Sequence, residues 1–126
     1  EIYANRDLSN HMNNSVIMGG HLYGFDGNTH MQGPKQLVCM RLADGKVLWR
    51  QEGYRCGSLM GVDGQLLVLG EKGNLAVGPA SPKGFKPKAE SQVLNGRCWT
   101  VPVLANGRIY CRNAVGDLLC LDVRGP

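Results

Sequence analysis

The chain repeats itself. Gly20-His21-Leu22-Tyr23 returns as Gly64-Gln65-Leu66-Leu67 and again as Gly107-Arg108-Ile109-Tyr110, 44 and then 43 residues further on. Each copy has a short apolar run just upstream: Ser15-Val16-Ile17-Met18, Leu59-Met60-Gly61-Val62 and Pro102-Val103-Leu104-Ala105. Downstream, Gly73-Asn74-Leu75-Ala76-Val77 and Gly116-Asp117-Leu118-Leu119-Cys120 keep the 43-residue spacing. The first copy has Gln36-Leu37-Val38-Cys39 there, after a polar insertion from Asn28 to Lys35. Three registers agreeing on one period mark one supersecondary unit repeated, a unit that must stack on its neighbours to bury its faces.

Each unit reads as consecutive hairpins. Asp63-Gly64 and Asn106-Gly107 reach the positive φ values of a tight two-residue turn, and Gly19-Gly20 does the same in the first copy. A fourth strand follows Asp44-Gly45 as Lys46-Val47-Leu48-Trp49-Arg50. Strands of four to seven residues with turn signals every eight to twelve imply an all-β fold, and no stretch shows a capped 3.6-residue apolar period. Glycine supports this: 18 of the 126 residues, more than twice ordinary usage, without a collagen period. Four short antiparallel strands per repeat predict a β-propeller of four-stranded blades, about three being present. The expected organisation is an outer strand of a preceding blade at 1–8, blades at 12–53 and 56–95, and a blade lacking its outer strand at 99–123. Glu1-Ile2-Tyr3-Ala4 aligns with Val47-Leu48-Trp49-Arg50. Propellers typically have four to eight blades. The expected partners are therefore other blades of a longer parent chain, or a second copy that exchanges its first strand. The chain opens on Glu1, not methionine, as a processed product or a fragment does.

Net charge is +4, yet the basic residues are mostly scattered. Lys83, Lys86 and Lys88 cluster, and read as a solvated outer strand and not as the Lys/Arg stripe with interleaved aromatics of a nucleic-acid surface. No run of 18 apolar residues is present, so no membrane span is expected. The five cysteines, Cys39, Cys56, Cys98, Cys111 and Cys120, contain no Cys-x-x-Cys pair. Cys39 and Cys120 coincide with Val77 in the repeat and are expected to be buried between blades. Cys56, Cys98 and Cys111 are less constrained, and a disulfide among them stays open.

The segment Cys39-Met40-Arg41-Leu42-Ala43-Asp44-Gly45-Lys46-Val47-Leu48-Trp49 resembles the tryptophan-docking motif of pyrroloquinoline-quinone-like (PQQ-like) propellers, Ala-x-Asp-x-x-Thr-Gly-Lys-x-x-Trp. Gly45, Lys46 and Trp49 match; Cys39, Arg41 and Asp44 stand where Ala, Asp and Thr are usual. Leu119-Cys120-Leu121-Asp122 echoes it, and Tyr3 takes the outer-strand aromatic's place 46 residues before Trp49. In the second copy Phe85 stands in for the tryptophan. The resemblance implies a quinoprotein-dehydrogenase-like architecture, a bacterial and periplasmic or otherwise extracytoplasmic setting, and a structural Trp49 capping the gap between blades. Trp99, just before an inner strand, and Asn10, His11 and Asn13, in a polar run before another, are the candidate contacts at the mouth of the central channel.

A quinoprotein dehydrogenase needs calcium held by carboxylate and amide oxygens, a catalytic aspartate and residues sandwiching the quinone. No such cluster stands out, and Asp26, Asp44, Asp63 and Asp117 each flank a turn glycine, which accounts for them. No catalytic residue, metal ligand or cofactor contact is assigned: PQQ and calcium would require residues outside this chain. His11, His21 and His30 form no metal-binding motif, and His21 is expected on an exposed strand position. The expected function is a non-catalytic scaffold or interaction module with a protein partner. The alternative is the terminal part of a larger quinoprotein-type oxidoreductase.

Overall fold

Hairpin turns set the registers on which the fold is built. In the computed structural model, which describes residues 7–10, 15–27 and 31–123, both central residues of three turns have positive φ. They are Gly19 and Gly20 (57° and 78°), Asp63 and Gly64 (49° and 73°), and Asn106 and Gly107 (52° and 72°). Such turns match the right-handed twist of the strands they join. Around them run β1 (Val16–Met18), β2 (His21–Asp26), β3 (Gln36–Arg41), β4 (Val47–Gln51), β5 (Ser58–Val62), β6 (Gln65–Leu69), β7 (Asn74–Pro79), β8 (Ala89–Gln92), β9 (Val103–Ala105), β10 (Arg108–Arg112) and β11 (Leu118–Asp122). There is no helix among the described residues. The strands form three antiparallel sheets, each a simple meander: β1–β4, β5–β8 and the three-stranded β9–β11. Of the strand expected at 1–8, residues 1–6 lie outside the described residues, and Asp7 and Leu8 are not strand.

The repeat reappears as geometry. Across the first sheet, Val16 pairs with Tyr23, Tyr23 with Cys39 and Cys39 with Trp49. The equivalent row of the second sheet is Met60, Leu67, Val77 and Ala89, and that of the third is Val103, Tyr110 and Cys120. Side chains of a strand alternate between faces, so each row occupies one face of its sheet. The first row packs against Leu59, Leu66, Val68, Ala76 and Phe85 of the second sheet and its loops. Met60, Leu67 and Val77 pack with Leu104, Ile109, Cys111, Leu119 and Leu121 of the third. Each large side chain so buried contributes about 1.5–3 kcal/mol. Burial, and then the adjoining Cys39, push the Tyr23 phenol up to about 12. Gly61 permits a close approach of the first two sheets, since a β-carbon there would run into Met18 and Val16 of β1.

Three expectations change. Cys39 is fully buried, but Cys120 is exposed, because among the described residues no further sheet lies against the face it shares with Val103. Phe85 is buried in the contact with the first sheet, edge-on to Tyr54, and so does not cap the junction to the third sheet as a stand-in for the tryptophan would. Lys83, Lys86 and Lys88 lie in the connection before β8, not on the outer strand; Lys88 N–H bonds Val77 O as the chain enters it. All five cysteines are free thiols, and burial raises the pKa of Cys39, Cys56, Cys98 and Cys111. A disulfide reagent such as DTNB is therefore expected to modify Cys120 first in the native chain, the other four reacting only on unfolding. Two or more fast-reacting thiols would contradict this burial pattern.

Candidate functional site

Antiparallel alternation puts the β4–β5, β6–β7 and β8–β9 connections at one end of the sheets. The β6–β7 turn is closed by Gly73 N–H to Gly70 O (3.0 Å) and Gly70 N–H to Asn74 O (2.7 Å). Gly73 has φ 92°, and a β-carbon on it would strike the Leu94 carbonyl; the bare glycine lets residues 93 and 94 lie across the turn and donate to its carbonyl. This fixes Glu71 at the tip, where it is buried at 8% exposure.

Glu71 joins all three connections. Its Oε1 accepts from Trp99 Nε1 (2.9 Å), and its Oε2 from Arg55 Nε (3.1 Å) and the Cys56 N–H (3.3 Å). Its own N–H donates to Tyr54 O (3.0 Å), and its carbonyl accepts from Cys98 N–H (2.7 Å). Burial acts to raise the pKa of this carboxyl, but the bonds from Trp99, Cys56 and Arg55 together outweigh it and hold it below the usual range. Arg97 lies over the Trp99 ring, its Cζ 5.2 Å from the centroid. Arg55 is in the left-handed region at φ 53°, an uncommon backbone for a residue with a side chain. Beside these groups opens a cleft of about 670 Å³ lined by Arg55, Glu71, Lys72, Gln92, Asn95 and Arg97, with Gly96 at its edge.

The docking-like segment lies between β3 and β4. Gly45 is buried at φ 72° and donates to Arg41 O (2.8 Å), while Arg41 N–H returns to Lys46 O (2.9 Å). The side chains of Arg41 and Asp44 form an ion pair that holds the Asp44 carboxyl down at about 2, with the Lys46 N–H as a second donor. Lys46 itself is exposed. Trp49 lies 6.1 Å from Tyr23, ring to ring, and reaches across to the second sheet, donating from Nε1 to Ser81 O (2.9 Å).

Of the candidate channel-mouth residues, His11 and Asn13 lie outside the described residues. Asn10 is bonded to the Ser15 side chain (3.0 Å) next to Gly24 of the first sheet, whereas Trp99 is held by Glu71 between the second and third. The structure does not bring Asn10 and Trp99 to common partners. His21 is half-buried, its Nδ1 2.9 Å from Gly19 O. Glu71, the residue on which the site centres, carries no motif in sequence: its partners come from connections 15 to 28 residues away.

Four of the carboxylates are already committed to protein donors. Calcium takes six to eight oxygens. Here Asp26 is committed to Arg50 and the Ser9 N–H, Asp44 to Arg41, Glu71 to Trp99 and Arg55, and Asp117 to Asn113. No group of three or more His, Cys, Asp or Glu is placed to hold a metal ion among the described residues. No helix there is long and apolar enough to cross a membrane.

No protein-family model and no curated protein matches the chain. Among solved structures it is similar to BamB from Moraxella catarrhalis, with TM-score 0.61 and 14% identity, over 86% of this chain and 30% of that one. It also superposes on the computationally designed Ika8 protein, with TM-score 0.50 and 6% identity, over 89% of this chain and 45% of that one. The chain thus spans less than half the length of either. At such identities the likeness shows the fold alone: an all-β chain of consecutive propeller blades, not closed into a ring.

Proposed function

We propose that this chain is part of a non-catalytic PQQ-like β-propeller scaffold that binds a protein partner, working in a bacterial periplasm or another extracytoplasmic setting. The setting rests on the family resemblance. The observation that carries the functional reading is Glu71. In a catalytic site a buried carboxylate at the strand ends would keep an oxygen free of protein donors for calcium or for a substrate proton; here each oxygen already accepts from a group on another connection, so the carboxylate serves to join them. In the same reading Gly45, Lys46 and Trp49 are a docking element, Gly45 closing the turn and Trp49 fastening the first blade to the second. The row Val103, Tyr110 and Cys120 matches rows that a following blade covers, so another blade, from a longer parent or a second copy, is the partner assigned to that face.

Titration with PQQ and Ca²⁺, followed by absorbance and calorimetry, is expected to give no saturable isotherm. A one-to-one micromolar isotherm would overturn the non-catalytic reading and favour a quinoprotein oxidoreductase.

A further inference from the structure

Arg55, Lys72 and Arg97 converge on one cleft, and two neighbouring depressions extend it. One, of about 230 Å³, is lined by Tyr54, Arg55, Lys72, Asn74 and Gln92; the other, also about 230 Å³, by Pro34, Lys35, Glu52 and Arg55. Gly53 and Arg55 are common to both, and Arg55 also lines the main cleft, so the three adjoin around Arg55 as a furrow with cations at Lys35, Arg55, Lys72 and Arg97. Of the two acids along it, Glu71 is buried and committed to Arg55 and Trp99, and Glu52 lies at the far end beside Lys35. Neither Lys72 nor Arg97 has an acidic partner among the described residues, unlike Arg41, Arg50 and Arg55.

We propose that this furrow binds an acidic, extended peptide segment of a partner protein. The cations would meet its carboxylates, and the exposed Asn95 amide and the Gly53 and Gly96 backbone would meet its main chain. The walls are preorganised. Gln92 Nε2 holds both Lys72 O and Leu94 O at 2.6 Å, and Glu71 bonds the backbone on either side of the left-handed Arg55, at Tyr54 O and the Cys56 N–H. Pre-set walls lower the ordering cost of binding, and excess positive charge in a concave site steers an anionic segment inward. A single-stranded nucleic acid would need open aromatic faces to stack on, whereas Tyr54 is buried and Arg97 lies over Trp99.

The inference rests on the scaffold reading and is tested separately from it. Calorimetry with a ten-residue Glu-rich peptide at low salt is expected to give saturable one-to-one binding. Lys72→Glu and Arg97→Glu, both at exposed positions, are each expected to weaken it by about tenfold or more. Lys83→Glu, in the β7–β8 connection at the other end of the sheets, is expected to leave it unchanged. Equal weakening by all three variants would overturn the proposal. So would an absent isotherm, or tighter binding of an oligonucleotide of equal charge. An absent peptide isotherm alongside a flat PQQ titration removes the furrow and leaves the scaffold reading standing.

Discussion

Glu71→Ala is expected to destabilise the fold by about 3–4 kcal/mol, a fall of roughly 10–15 °C in Tm. The substitution removes the acceptor for the half-buried Trp99 Nε1–H and the buried Cys56 N–H at once, and losing the acceptor of a buried donor costs about 1–3 kcal/mol. Arg55 adds little to the loss, since its side chain is 48% exposed and regains water. Glu71→Gln is the informative companion, keeping one carbonyl acceptor but not the charge. The pH dependence has a definite sign. The folded-state pKa of Glu71 lies below its unfolded value, so the stability it contributes is present above the ordinary carboxyl range and is lost as pH falls through the folded pKa. The wild type should therefore lose stability on acidification more steeply than Glu71→Gln. Denaturant midpoints for both variants between pH 3 and pH 7 check this, and an alanine variant as stable as wild type would remove Glu71 from the centre of the site.

Trp49→Ala should cost about 3 kcal/mol, the low end for emptying a buried aromatic site, because Trp49 is only partly buried. Trp49→Phe separates the two contributions. It keeps a ring against Tyr23 but loses the Nε1–H bond to Ser81 O, at a cost of about 1 kcal/mol. If the phenylalanine variant is as unstable as the alanine one, the hydrogen bond and not the ring fastens the first two sheets. A melting curve unchanged for Trp49→Ala would move Trp49 from packing to the surface.

What sequence reading could reach depended on how local the determining physics was. Asp63-Gly64 and Asn106-Gly107 were legible because few residue pairs accept two consecutive positive φ values, and the period between them then ordered the strands. Burial was less legible. Cys39 and Cys120 are equivalent in the repeat, yet one is sealed by the next sheet and the other meets solvent, a difference neither residue encodes. Phe85 shows the same limit: its sequence position marks an outer-strand aromatic, but the β7–β8 connection turns it back onto the first sheet. Glu71 was invisible for a stronger reason. One residue past a turn glycine, it resembles any solvated loop acid until Arg55, Cys56 and Trp99 arrive from two other connections.

The meander arrangement described above also bears on the order in which the chain acquires structure. Within each sheet every strand pairs only with its sequence neighbour, so pairing needs short loop closures, and such contacts form quickly and without waiting for distant sequence. During synthesis the first sheet has all its partners once Gln51 has emerged, and the second once Gln92 has. The Glu71 carboxylate must wait longer, because Trp99 is made 28 residues after it. Until then a nascent second sheet carries a half-satisfied acid, and the arrival of residues 97–99 is the event that locks it.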